Sequence, residues 1–133
     1  MTTTRPAPTN YGKRSRARET ALQILFEIDL MPARAKMPAK PLLEERLKDP
    51  DSREFARSLV DGVVRHREDL DRRISQAADN WRISRMACVD RNALRLAVYE
   101  LTFVRETALG VVFDEAIELA GRFGSENSKA FVN

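Results

Sequence analysis

From Arg14 to Leu30, apolar side chains recur at spacings of three and four: Ala17, Ala21, Ile24, Leu25 and Ile28. That period is one face of an α-helix and predicts a first helix over this stretch. Pro32, Pro38 and Pro41 then bracket a loop or short turn that also carries Arg34, Lys36 and Lys40. Residues 41–49, PLLEERLKD, read as a short helix with proline in its first turn. A longer helix is expected from Asp51, a candidate N-cap, because Glu54 three residues later completes a capping box. Phe55, Leu59, Val63, Leu70, Ile74 and Ala77 follow one face and carry that helix to about Asp79. Gly62 interrupts it without stopping it. A helix glycine costs roughly 1 kcal/mol against alanine, so close packing is the reason to expect there.

Residues 81–104 hold the most apolar helix, with Ala93, Leu94, Ala97, Val98, Leu101 and Val104 as a wide buried face. The segment before Asp90 reads as a separate turn. Another helix is expected from Leu109 to Phe123, with Phe113, Ala116, Ile117, Ala120 and Phe123 inward and Gly124 as its C-cap. Ser125 can cap a last helix, but the chain stops at Asn133, about two turns into it. Phe131 and Val132 look like the start of a buried face, so the natural protein is expected to continue, or the chain to be a fragment. Glycine is scarce, no long segment alternates apolar with polar, and no repeat is visible. The expected fold class is all-α.

Charge changes the picture at one end. The 133 residues carry a net +3. Residues 1–18 contain Arg5, Lys13, Arg14, Arg16 and Arg18 and no acid, whereas the remaining 115 hold 18 bases and 20 acids. The positive excess therefore belongs to the N-terminal arm, and a local cationic segment attracts polyanions, nucleic acid above all. Residues 1–12, with Pro6 and Pro8, read as a disordered tail; residues 13–133 read as one helical domain. Cations at a helix start oppose the peptide dipoles, which favour acids there. That cost calls for a use, and binding phosphates is one.

Candidate chemistry is sparse. A single cysteine, Cys88, excludes an intrachain disulfide framework and reads as a packing residue in a reducing compartment. His66 sits on a core stripe, where an edge histidine is the commoner outcome. No nucleophile elbow, phosphate-cradling glycine loop or metal-spaced His/Cys cluster is visible, so no catalytic residue, metal or cofactor is expected. No apolar run reaches membrane-span length, and a secretory signal is not apparent. What is left is binding. Lys13, Arg14, Arg16 and Arg18 can contact phosphates, Arg14 and Arg18 share a face, and Phe26 lies two turns further on. Basic groups interleaved with aromatic rings suit unpaired RNA better than duplex DNA. The plainer alternative is a solubilising tail. Glu100, Glu106, Asp114, Glu115 and Glu118 cluster near the later helices, either as a solvated face or as the seat of a basic protein.

RARETALQILFEID (16–29), WRISRMACVDRNALRLAVYEL (81–101) and DEAIELAGRFG (114–124), followed by SKAFVN, resemble the NusB family of bacterial transcription antitermination factors. The blocks lie in family order across most of residues 13–133. The resemblance implies two stacked three-helix subdomains, the last helix truncated here. It implies a cytoplasmic RNA-binding protein that pairs with the small-subunit ribosomal protein NusE. The pair would bind single-stranded boxA RNA in nascent rRNA leaders and, within the RNA polymerase antitermination complex, promote read-through. Carried over residue by residue, the RNA surface falls on Lys13, Arg14, Arg16 and Arg18, with Phe26 as the first-helix aromatic and Asn127 and Phe131 at the turn before the last helix. The NusE side falls on Glu100, Glu106, Asp114, Glu115 and Glu118. The family contains more than one oligomeric state, so a homodimer stays open.

Two positions depart from the family pattern. The family continues past F-V-N through a full helix, and Ala130 stands where it often has lysine. The first departure leaves a rival, the NusB-like N-terminal domain of an rRNA cytosine methyltransferase. A helical adaptor without RNA is the other. The strongly basic first helix favours the stand-alone factor over the tethered domain.

Overall fold

The structure, a computed structural model, describes residues 9–77, 82–104, 110 and 116–117, with side chains from residue 12 onward. Among them are five α-helices, two 3-10 turns and no strand. The all-α expectation holds.

Helix α1 spans Thr9–Leu30 and starts five residues before the expected Arg14, taking in Thr9–Gly12 from the segment read as a tail. This corrects the dipole argument. Lys13 to Arg18 lie beyond the first turn, where the dipole's positive end has faded. The stripe of α1 is buried as its spacing predicts: Ala17, Ala21, Ile24, Leu25 and Ile28, joined by Leu22.

After a 3-10 turn at Pro32–Lys36, α2 covers Lys40–Arg46 with proline in its first turn, as its sequence implies. Helix α3 spans Pro50–Arg65, and its cap is Asp49 rather than Asp51. The Asp49 carboxylate accepts from the Ser52 N–H at 2.9 Å, while Asp51 is exposed in the first turn. Pro50 decides this, because its fixed φ and missing N–H suit the first helical position and put the cap on the residue before it, two short of the expected Asp51.

The single long helix expected to about Asp79 is two helices. His66 leaves helical geometry at φ −102°, ψ 15°, and α4 runs Arg67–Ala77. No proline or glycine marks the break. Instead the His66 ring stacks on Phe103, centroids 4.2 Å apart, with Tyr99 at 6.2 Å. Leu70 and Ile74 are buried; Ala77 is exposed, against expectation. At Gly62 an added Cβ would stand 2.1 Å from Cζ of Tyr99, which is the close packing that the sequence implied.

A 3-10 turn at Ile83–Arg85 precedes α5, Cys88–Phe103, so the segment before Asp90 is indeed mostly a separate turn. Helix α5 buries Asn92, Ala93, Arg95, Leu96, Ala97 and Glu100. That face is turned away from the expected one. Leu94 and Val98 are half-buried, and Leu101 is exposed. The displacement has a cause in the charged side chains: Arg95 and Glu100 point inward to partners on other helices.

The core joins α1 to Ala56, Leu59, Val60 and Val63 of α3 and to Ala93 and Leu96 of α5; Leu43 of α2, Leu47 just beyond it and Leu70 of α4 close its edges. Helices α1, α2 and α3 form one packed group, and α4 and α5 lie together against α1 and α3. The helix expected from Leu109 to Phe123, its cap at Gly124 and the last helix fall outside the described residues, except that Gly110, Ala116 and Ile117 are helical and Ala116 is buried.

Candidate nucleic-acid interface

Four basic residues of α1 were expected to face one ligand. Helical geometry spreads them, since residues one apart point about 100° away from each other. Lys13 turns toward the start of α3, with its Nζ 3.3 Å from Asp49. The Ser52 N–H holds the Asp49 carboxyl below its ordinary range, and Lys13 adds to that hold. The Arg14 guanidinium sits over Phe55, its Cζ 4.2 Å from the ring centroid, a cation–π contact between α1 and α3. Arg16 is exposed.

Arg18 does not belong to that surface. It is 1 % exposed, and its guanidinium grips Glu100, which is 2 % exposed, through Nε–Oε2 at 2.8 Å and Nη2–Oε1 at 2.9 Å. The geometry is the two-pronged clasp that arginine makes with carboxylates. Both expectations are corrected together. Arg18 is not a solvent-facing RNA contact, and Glu100 is not an exposed seat for a protein partner, because each is buried against the other. Arg18 also lies 5.4 Å from the Phe55 ring centroid, so Phe55 has guanidinium groups of two α1 residues beside it.

Phe26 is half-buried and lines a shallow cavity of about 310 Å³ with Leu22, Gln23, Glu27, Arg46 and Val89. Glu27 is committed there to Arg34 at 3.0 Å and Arg46 at 2.8 Å. Asn127, Phe131, Glu106, Asp114, Glu115 and Glu118 lie outside the described residues. Among the described residues no group of three or more His, Cys, Asp or Glu could hold a metal. None of the described helices is long and apolar enough to cross a membrane.

Sequence reasoning missed a second polar cluster. Asp29, at the end of α1, accepts from Asn92 Nδ2 at 2.9 Å and Arg91 Nε at 3.0 Å, and pairs with Arg95 and Arg67 at 3.3 Å. Arg95 turns its other edge to Asp71 of α4 at 2.7 and 2.9 Å. Burial works against ionising Asp29, yet the Asn92 hydrogen bond and the charges of Arg95 and Arg91 outweigh it and hold the carboxyl below its ordinary range. Cys88 Sγ lies 3.5 Å from the same carboxylate. Burial, then the Asp29 charge, push that thiol up. Charged residues four apart inside the most apolar helix, Arg91 and Arg95, were the available signal.

The sequence model of the NusB family matches residues 15–133. The chain belongs to the NusB family. It is 43 % identical over 126 residues to the transcription antitermination protein NusB of Myxococcus xanthus, a match covering 92 % of this chain and 90 % of that protein. Among solved structures it resembles T. maritima NusB, with 38 % identity and a TM-score of 0.78 over 90 % of this chain and 84 % of the other. It also resembles a chain of the crystal structure of antitermination factors NusB and NusE in complex with dsRNA. Identity there is 36 % and the TM-score 0.78, over 94 % and 92 % of the two chains. Residues of α1 and α5 divide into two groups in this fold. Arg18, Asp29, Arg91, Arg95 and Glu100 bind helix to helix, whereas Lys13, Arg14, Arg16 and Phe26 reach the surface at least in part.

Proposed function

We propose that this protein is a bacterial, cytoplasmic transcription antitermination factor without enzymatic activity of its own. With NusE it binds single-stranded boxA-type RNA in nascent rRNA leaders and helps RNA polymerase read through terminators. The observation that carries this reading is the likeness, at 36 % identity along nearly the whole chain, to a chain of the NusB–NusE–RNA complex. The relative from Myxococcus xanthus is named an antitermination protein, and nine-tenths of its length is matched, which leaves little room in it for a methyltransferase domain. Lys13, Arg14 and Arg16 supply the phosphate contacts. Phe26, on α1 at the edge of its cavity, supplies an aromatic face for a base. By the family resemblance, Asn127 and Phe131 add RNA contacts, and Glu106, Asp114, Glu115 and Glu118 serve the NusE side.

The test is a titration of boxA-type single-stranded RNA and a scrambled control, with and without NusE, at two salt concentrations. Binding that prefers boxA and tightens with NusE is expected. Three phosphate contacts give a slope of log K against log salt of about −2. Weak binding that ignores both sequence and NusE would overturn the proposal.

A further inference from the structure

Lys13 of α1 and Asp49, the cap of α3, face each other with Nζ 3.3 Å from Oδ1. The two Asp49 oxygens have separate duties. Oδ2 accepts from the Ser52 N–H at 2.9 Å and from the Ser52 hydroxyl at 3.1 Å, which is the capping role. Oδ1 is left to the lysine. Capping does not need a charge, since asparagine caps a helix about as well as aspartate. Lys13 does not need a carboxylate to aim it, because an ammonium group is a compact point charge on a flexible stem. The pair faces solvent, with side chains 41 % and 34 % exposed, whereas the Arg18–Glu100 clasp is buried. Solvent-facing pairs are weak and screened by salt, so another anion can take the place of Asp49. Room for one is at hand. Lys13 also lines a cavity of about 530 Å³ between the start of α1 and the first turns of α3. Asp51 lines the same cavity, is exposed and pairs with none of the described residues.

We infer that Asp49 sets the RNA affinity of the N-terminal arm, as the internal anion that an RNA phosphate must displace from Lys13. The inference rests on the RNA-binding reading and gives α3 a residue that restrains binding. Two anions compete for one ammonium group. In the free protein Asp49 holds it. In the complex a phosphate holds it, and Asp49 keeps Ser52 alone. The exchange subtracts from binding the worth of an exposed ion pair, a factor of about two to five in affinity. The restraint acts on every RNA by the same factor, because a phosphate contact carries no sequence information.

The experiment titrates boxA-type single-stranded RNA and a scrambled control into the full chain with NusE. Wild type is compared with Asp49→Asn, Lys13→Met and the two changes together, and urea unfolding is followed for each. Asp49→Asn keeps the cap and removes the charge. It should bind both RNAs about two to five times tighter with its unfolding midpoint unchanged. Lys13→Met should lower the salt slope by about 0.7, and in that background Asp49→Asn should gain nothing. Asp51→Asn is the control, a nearby carboxylate that holds no lysine; any gain from it should survive Lys13→Met. Asp49→Asn binding RNA no tighter than wild type, or a gain that persists without Lys13, would overturn the inference and leave the RNA-binding reading standing. A Lys13-dependent gain in a chain that does not distinguish boxA from the scrambled RNA would support the inference and overturn the antitermination reading. A chain that binds neither RNA would overturn both.

Discussion

Truncating Arg18 to alanine takes a two-pronged partner from the buried Glu100 carboxylate. The pair is bidentate, at 2.8 and 2.9 Å, and its members are 1 % and 2 % exposed, so neither charge has bulk water to fall back on. Breaking a buried pair from one side costs about 3–5 kcal/mol, chiefly for the charge left behind. Whole domains are stable by roughly 5–15 kcal/mol, so Arg18→Ala should remove a large share of the total and lower the melting temperature by about 10–20 °C. The double change Arg18→Met with Glu100→Leu removes both charges and should recover most of the loss, because apolar replacements of a buried pair are often neutral or better. Urea unfolding followed by helical circular dichroism measures each variant, and the double-mutant cycle isolates the coupling. Suppose Arg18→Ala stays within about 1 kcal/mol of the wild type while RNA affinity collapses. Arg18 would then be a surface contact after all, and the reasoning from burial would be wrong.

Three further outcomes follow from the packing. Asp29 has a folded-state pKa below its unfolded value, so its contribution is complete above about pH 4 and is lost as pH falls through the folded value. Acid titration of stability should therefore show a steeper fall below about pH 4 in the wild type than in Asp29→Asn. Gly62→Ala gains about 1 kcal/mol of helix propensity but drives a Cβ into Tyr99, and overpacking costs typically 1–3 kcal/mol. Net destabilisation in urea is expected, and Tyr99→Leu in the same chain should relieve it. Cys88, its thiol pushed up by burial and by the Asp29 carboxylate, should react with iodoacetamide more slowly in the folded chain than in urea; equal rates would refute that environment.

Periodicity by itself determined most of the scaffold. The stripe Ala17–Ile28 on α1, the short helix after Pro41, the turn before α5 and the tight packing at Gly62 were all legible, because spacing of three and four is a local property and burial follows it. The family was legible too, from blocks that include residues 16–29 of α1 and 88–101 of α5. Local signals went wrong where a competing neighbour or a distant contact intervened. Pro50 moved the α3 cap from Asp51 to Asp49. Rings from α5 stack on His66, where one expected helix is two.

Only the tertiary structure decided which charges are free to meet a ligand. Lys13, Arg14, Arg16 and Arg18 look equivalent in a string, yet one is tethered to Asp49, one lies on Phe55, one is exposed and one is buried on Glu100. The partner of Arg18 is 82 residues away and that of Arg95 on α4 is 24 away. A charge in water and a charge in a buried clasp have the same one-letter code. The difference between them is desolvation and geometry, which exist only once the helices have met.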